Sequence, residues 1–151
     1  MRKPIVGILA LALFSTSALA ADTAAHTVTV TVEAVNEVAI TGGNVSLNIG
    51  SSYSAADATT ADLTWSTNES GRKITVVSSL AANIYPLSVS ATAVSGGTSA
   101  GTVEISDTPQ DLVTGISLTD GNADLSYSAT STAASGSGVE AHTVTYTILA
   151  S

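Results

Sequence analysis

Gly97-Thr98-Ser99-Ala100-Gly101 has the G-x-S-x-G spacing of a hydrolase nucleophile elbow, where a strained turn between a strand and a helix lifts a serine hydroxyl toward substrate. Here the alternation that follows, from Thr102, predicts a strand and not a helix, so a hairpin loop is expected. His26 and His142 sit at the start of two strands with no sign of an acid partner positioned behind them, and no catalytic centre is expected. Asp120-Gly121-Asn122-Ala123-Asp124 sets oxygen ligands at alternate positions, as the first half of an EF-hand loop does, which makes Asp120, Asn122 and Asp124 the one candidate calcium site. Leu125 stands where the loop's glycine should be and Ser131 where its bidentate glutamate should be. An ordinary turn is therefore expected, with no metal and no other cofactor. The two histidines, brought together, could share a metal or act as a proton switch, but two ligands make a poor site and a polar strand entry is expected for each. Asn44-Val45-Ser46 and Asn68-Glu69-Ser70 are glycosylation sequons by spacing.

Both histidines open copies of one strand: "AHTVTVTV" at 25–32 and "AHTVTYTI" at 141–148. Thr fills positions 27, 29 and 31 of the first copy and 143, 145 and 147 of the second. The even positions carry Val28, Val30 and Val32 in the first and Val144, Tyr146 and Ile148 in the second, so one face is dry and the other hydroxylated. Equivalent patterning predicts equivalent environments, most simply as neighbours in one sheet. Glu33-Ala34-Val35-Asn36-Glu37 interrupts the first copy before the strand resumes, which is where a hinge is expected. Folded back, the leading segment completes its own body; swung out, it leaves an edge that the same segment of another molecule can fill. The residues expected to carry self-assembly are Val28, Val30, Val32 and Val35 on the inserted segment, and Val144, Tyr146 and Ile148 on the receiving strand.

Elsewhere the apolar residues recur at spacing two, the signature of half-buried strands. Strands are expected over 26–41, 44–49, 61–67, 72–79, 87–94, 102–106, 116–118, 123–132 and 142–149, with Gly, Asn and Asp clusters as turns between them. Asp107 to Val113, with Pro109 after a capping residue, reads as a single helical turn crossing between two sheets. The predicted class is all-β, an immunoglobulin-like or Greek-key sandwich of about 7–9 strands. The inward set is expected to include Leu63, Trp65, Ile74, Val76, Leu87, Val89, Ala91, Leu125, Tyr127, Val144, Tyr146 and Ile148.

Met1-Arg2-Lys3, the apolar run from Ile5 to Phe14 and the Ala18-Leu19-Ala20 cleavage site read as a secretory signal peptide over residues 1–20. The expected organisation is then the leader, an N-terminal strand and hinge over 21–36, and a sandwich over 37–151. No later stretch is long and apolar enough to span a bilayer, so no membrane insertion is expected after cleavage. Cleavage would leave Arg72 and Lys73 against twelve carboxylates, a net charge of −10 that repels nucleic acid and anionic headgroups. The chain has no cysteine, so packing and main-chain pairing alone must stabilise it.

The Thr-Val leading segment, taken with "NVSLNIGSSYSAA", "DLTWSTNESGRKITVVSS" and the closing "VEAHTVTYTILAS", resembles the spore-coat-protein-U and archaic chaperone–usher pilin subunits. The likeness covers about the first third and the last tenth of the processed chain. Those subunits usually carry a cysteine pair, absent here, and an aromatic nearer the C-terminus than Tyr146. The resemblance implies an immunoglobulin-like sandwich lacking one strand, completed by the N-terminal segment of the next subunit. It also implies a periplasmic export partner, and a cell-surface or secreted location. The expected function is a non-catalytic structural subunit of an extracellular filament, pilus-like fibre or biofilm matrix whose partner is itself. The competing expectation is a monomeric secreted module that binds polysaccharide or ice through its threonine rows.

Overall fold

The computed structural model describes residues 23–80 and 83–151, and the leader expected over 1–20 lies outside them. The chain divides into one unit ending at Val32 and a second from Glu33 to Ser151. In the first, residues 23–32 form no regular secondary structure, so the strand expected to start at His26 does not form there. A lone strand has no main-chain partner to hold it. Its Val28, Val30 and Val32 are 72%, 81% and 78% exposed.

The second unit is nearly all β. Its strands are β1 (Asn36–Thr41), β2 (Ser54–Thr67), β3 (Arg72–Ser78), β4 (Leu87–Ser95), β5 (Thr98–Ser99), β6 (Thr102–Glu104), β7 (Gln110–Ile116), β8 (Thr119–Thr130) and β9 (Val144–Ala150). They form two antiparallel sheets, β1-β2-β8-β4-β6 and β5-β7-β3-β9. The first four strands of one sheet and the β3-β9 pair of the other follow the A-B-E-D and C-F order of an immunoglobulin sandwich, with β5, β6 and β7 inserted between D and E. The next position out from β9, where such a sandwich carries strand G, is taken by no described residue.

Between the sheets lie Leu63 and Trp65 of β2, Ile74 and Val76 of β3, Val89 and Ala91 of β4, Leu112, Val113 and Ile116 of β7, and Leu125 and Tyr127 of β8, all buried. They sit at alternate positions along their strands because every second side chain of a pleated strand faces the same way. Three expected elements come out differently. Asp107–Val113 is no helical turn: β7 runs from Gln110, because burying Leu112, Val113 and Ile116 outweighs the local capping signal, although the link from β6 to β7 does cross between the sheets as expected. Asp120-Gly121-Asn122 is not a turn but the start of β8, and the chain reverses one step earlier at Leu118, whose φ is +47°. Asn44–Ile49 keeps the expected alternation, with Val45, Leu47 and Ile49 half-buried, yet it joins no ladder.

Gly121 explains the second departure. It lies opposite Trp65 in the β2–β8 register, and a Cβ there would come within 2.3 Å of the indole. Gly121→Ala is expected to cost at least about 1–3 kcal/mol through overpacking, read as a lower denaturation midpoint in Trp65 emission.

Candidate functional site

β9 pairs with β3 from Val144↔Ser78 to Ala150↔Arg72, and no other strand among the described residues is hydrogen-bonded to it. The register fixes which groups are free. Ser79 N–H donates to Thr143 O at 3.0 Å and Ser151 N–H to Gly71 O at 2.9 Å, so odd-numbered residues of β9 turn their main chain toward β3. In an antiparallel ladder the alternate residues point the other way. Val144, Tyr146, Ile148 and Ala150 therefore present N–H and C=O groups to an empty edge. The side chains of Val144, Tyr146 and Ile148 turn inward but stay only half-buried, although they pack against the core. A strand edge with free main chain and half-covered apolar side chains is what another strand needs in order to add.

The start of β9 borders a cleft of about 890 Å³. Ile40, 50% exposed at the end of β1, the segment Asn44–Ile49, Tyr127 of β8 and the stretch Gly136–His142 also line it. The Tyr127 and Tyr146 hydroxyls are 2.6 Å apart. Loss of water raises both phenol pKa values above the ordinary 10, since neither ring has a cation to stabilise its phenolate. A raised folded-state value means the pair's contribution to stability is complete below about pH 10 and is lost as pH climbs above it. Tyr146→Phe is expected to flatten that alkaline loss of stability in a pH series of thermal melts.

The other margin of the body is fixed by side chains. Asn68 Oδ1 accepts the Val35 N–H at 2.8 Å and its Nδ2 donates to Glu33 O at 2.7 Å, while Thr67 Oγ1 donates to Asn36 Oδ1 at 2.8 Å. The Asn36 amide and the Arg72 guanidinium both donate to Glu69, and they hold its carboxyl below the usual range against partial desolvation. Val35 thus belongs to this clasp, beside Leu118 in a small recess, and not to the free segment with Val28, Val30 and Val32. The Asn68 side-chain amide, read in the sequence as a sequon, accepts one bond and donates one in holding the chain's entry into the body.

His142 is not without partners. Its Nε2 lies 2.9 Å from Glu140 Oε1 and its Nδ1 3.0 Å from Ser78 Oγ, and Glu140 Oε2 also accepts the Ile84 N–H at 2.9 Å. The set of groups is that of a Ser-His-acid centre, but Ser78 is 5% exposed and its oxygen already accepts the Leu80 N–H at 3.1 Å. The network fastens the approach to β9 onto β3 and the following loop. The sequence hint was Glu140-Ala141-His142; Ser78, 64 positions away, had none.

The remaining candidates disperse. Ser99 lies in β5 and donates to Ala91 O at 2.7 Å. Asp120, Asn122 and Asp124 face outward along β8, opposite Ser66, Thr64 and Asp62. Asp120 and Asp124 are four residues apart on one strand, roughly 13 Å at ~3.3 Å per residue, so the three side chains do not close around one calcium ion with oxygens at about 2.3–2.6 Å. Among the described residues no three His, Asp or Glu side chains converge on one point, and no helix is long and apolar enough to cross a membrane. Thr143, Thr145 and Thr147 of β9 stand opposite Ser79, Val77 and Thr75 on β3, so Val77 interrupts the hydroxyl row on the second strand. Comparison with family models, with curated proteins and with solved structures finds no match to this chain.

Proposed function

We propose that the protein is a non-catalytic, exported filament subunit that polymerises by lending residues 24–32 to the open edge of β9 in a second copy. The observation that carries this reading is the pairing of two incomplete halves in one chain. The edge of β9 carries no hydrogen-bonded strand among the described residues and leaves Val144, Tyr146 and Ile148 half-covered. A Thr-Val segment of the same alternation carries three exposed valines and no ladder of its own. Inserted, those valines would leave water beside the half-covered row, each worth about 1.5–3 kcal/mol when fully buried, and the free main-chain groups of both strands would pair.

Chain direction favours a second copy over the same one. Glu33 is held at the end of the sandwich where β9 finishes, because Asn36 opposes Thr67, the turn that follows leads to Arg72, and Arg72 opposes Ala150. A segment folded back from Glu33 would run parallel to β9, whereas a segment from another molecule is free to add antiparallel, the slightly stronger pairing. Such head-to-tail contacts do not close on themselves and so extend into a fibre.

Negative-stain electron microscopy of the secreted protein tests this. Filaments are expected from the full chain and only globular particles from a chain lacking residues 22–34; filaments from the shortened chain would exclude the segment as donor.

A further inference from the structure

We propose, on the reading of β9 as the receiving edge, that consecutive copies also touch body to body, with Leu118 of one copy packed against Val139 of the next.

The donor segment has no slack. Glu33 O accepts from Asn68 Nδ2 at 2.7 Å and the Val35 N–H donates to Asn68 Oδ1 at 2.8 Å, so the chain is fixed to its own body one residue after Val32. A strand that adds antiparallel to β9 enters beside Ala150 and leaves beside Val144. Residues 24–32 outrun the seven residues of β9 by two, about 7 Å at ~3.3 Å per residue. The margin of the donor body that carries the clasp is thus drawn up against the stretch leading into β9 of the receiving copy, with no linker to hold the two apart.

Each of those margins carries an apolar side chain in water. Leu118 belongs to the clasp: its N–H donates to Glu69 O at 3.1 Å, and it shares a recess with Val35 and Asn68. It is 69% exposed and sits at φ +47°, a conformation that a residue with a side chain rarely adopts, and neither cost is offset by contacts within the subunit. Val139 lies five positions before Val144 and is 100% exposed. The stretch that presents it is held in place, since the adjoining Glu140 accepts the Ile84 N–H at 2.9 Å and lies 2.9 Å from His142 Nε2. A lone exposed leucine or valine is ordinary. These two differ because the short tether sets their margins face to face. Charge does not oppose the approach: Glu140 is the one ionisable residue between Ser131 and Ala141 and is already engaged, so Glu33 and Glu69 of the donor body meet no free carboxylate there.

The chain has no cysteine, so a pair introduced at the two positions reports this contact alone. The double variant Leu118→Cys/Val139→Cys is assembled, treated with a short bis-maleimide and run on a denaturing gel, while the same sample is viewed by microscopy. A ladder of dimers, trimers and longer chains is expected, because every copy carries both residues and the contact is head-to-tail. The control is Thr92→Cys/Val139→Cys, whose exposed Thr92 lies within β4 and away from both margins, and it should stay unlinked. Filaments that ladder no more than this control overturn the body-to-body contact and leave the inserted strand standing. Dimers from Leu118→Cys alone would set two clasps together, as a parallel insert does, and overturn the contact as well. Only globular particles from the unmodified chain would overturn the inserted strand and this contact with it. Should the cysteine pair fail to assemble where the unmodified chain succeeds, hydrogen exchange on unmodified filaments is read instead. The Val139 amide is then expected to exchange about tenfold more slowly than in the monomer, and unchanged exchange overturns the contact.

Discussion

Val30→Asp is expected to abolish filaments while leaving the body folded. Val30 is 81% exposed in the free chain, so the carboxylate stays in water and Trp65 emission and melting temperature should hold within experimental scatter. In the fibre the same side chain would lie in the middle of the inserted strand, facing the half-covered row of β9. Burying an unpaired carboxylate costs several kcal/mol, and at 1.4 kcal/mol per factor of ten the concentration needed for assembly should rise roughly a hundredfold or more. Thr29→Asp, one position away on the hydroxylated face, is the control and should assemble with far smaller loss. Equal effects at both positions would mean that the segment does not enter as an alternating strand.

The second large effect contrasts two isoleucines that face each other. Ile74 and Ile148 are direct partners in the β3–β9 ladder, yet Ile74 is fully buried and Ile148 only partly so. Ile74→Ala should cost the monomer about 2–5 kcal/mol, which at a few degrees per kcal/mol in a domain of this size lowers the melting temperature by roughly 8–20 °C. Ile148→Ala should cost the monomer well under half of that, because part of its surface already meets water. In assembled fibres the ranking should close up, since an inserted strand would complete the cover over Ile148. A melt of monomer and fibre for both variants checks this; equal losses in the monomer would mean that the edge of β9 is not open.

Alternation carried most of the fold, because a strand's period reports which side chains meet apolar surface. Leu63 and Trp65, Ile74 and Val76, and Val89 and Ala91 all face the core as their spacing required. The same period is silent about who hydrogen-bonds to whom. Asn44–Ile49 has the pattern of a strand and the structure gives it no ladder, while 24–32 has the pattern and no sheet. Local chemistry misled at two points where tertiary contact prevailed. Asp120-Gly121-Asn122 reads as a turn, but Gly121 is there to let Trp65 lie against the chain, and Pro109 reads as a helix start, but the residues after it fill the core. The His142 network escaped notice because Ser78 reaches it only through the β3–β9 register.

The Asn68 clasp has a mechanical consequence. In a fibre under tension, the pull from the preceding subunit would enter the body at Glu33 and pass along β1, whose six residues lie antiparallel to the end of β2. Force applied along that axis loads the whole β1–β2 ladder in shear, so its bonds must yield together, where a pull across the strand would unzip them one at a time. With Asn68, Asn36, Thr67 and Glu69 tying the entry, the weakest link of such a fibre under stretching would lie away from the point of attachment, in the inserted strand.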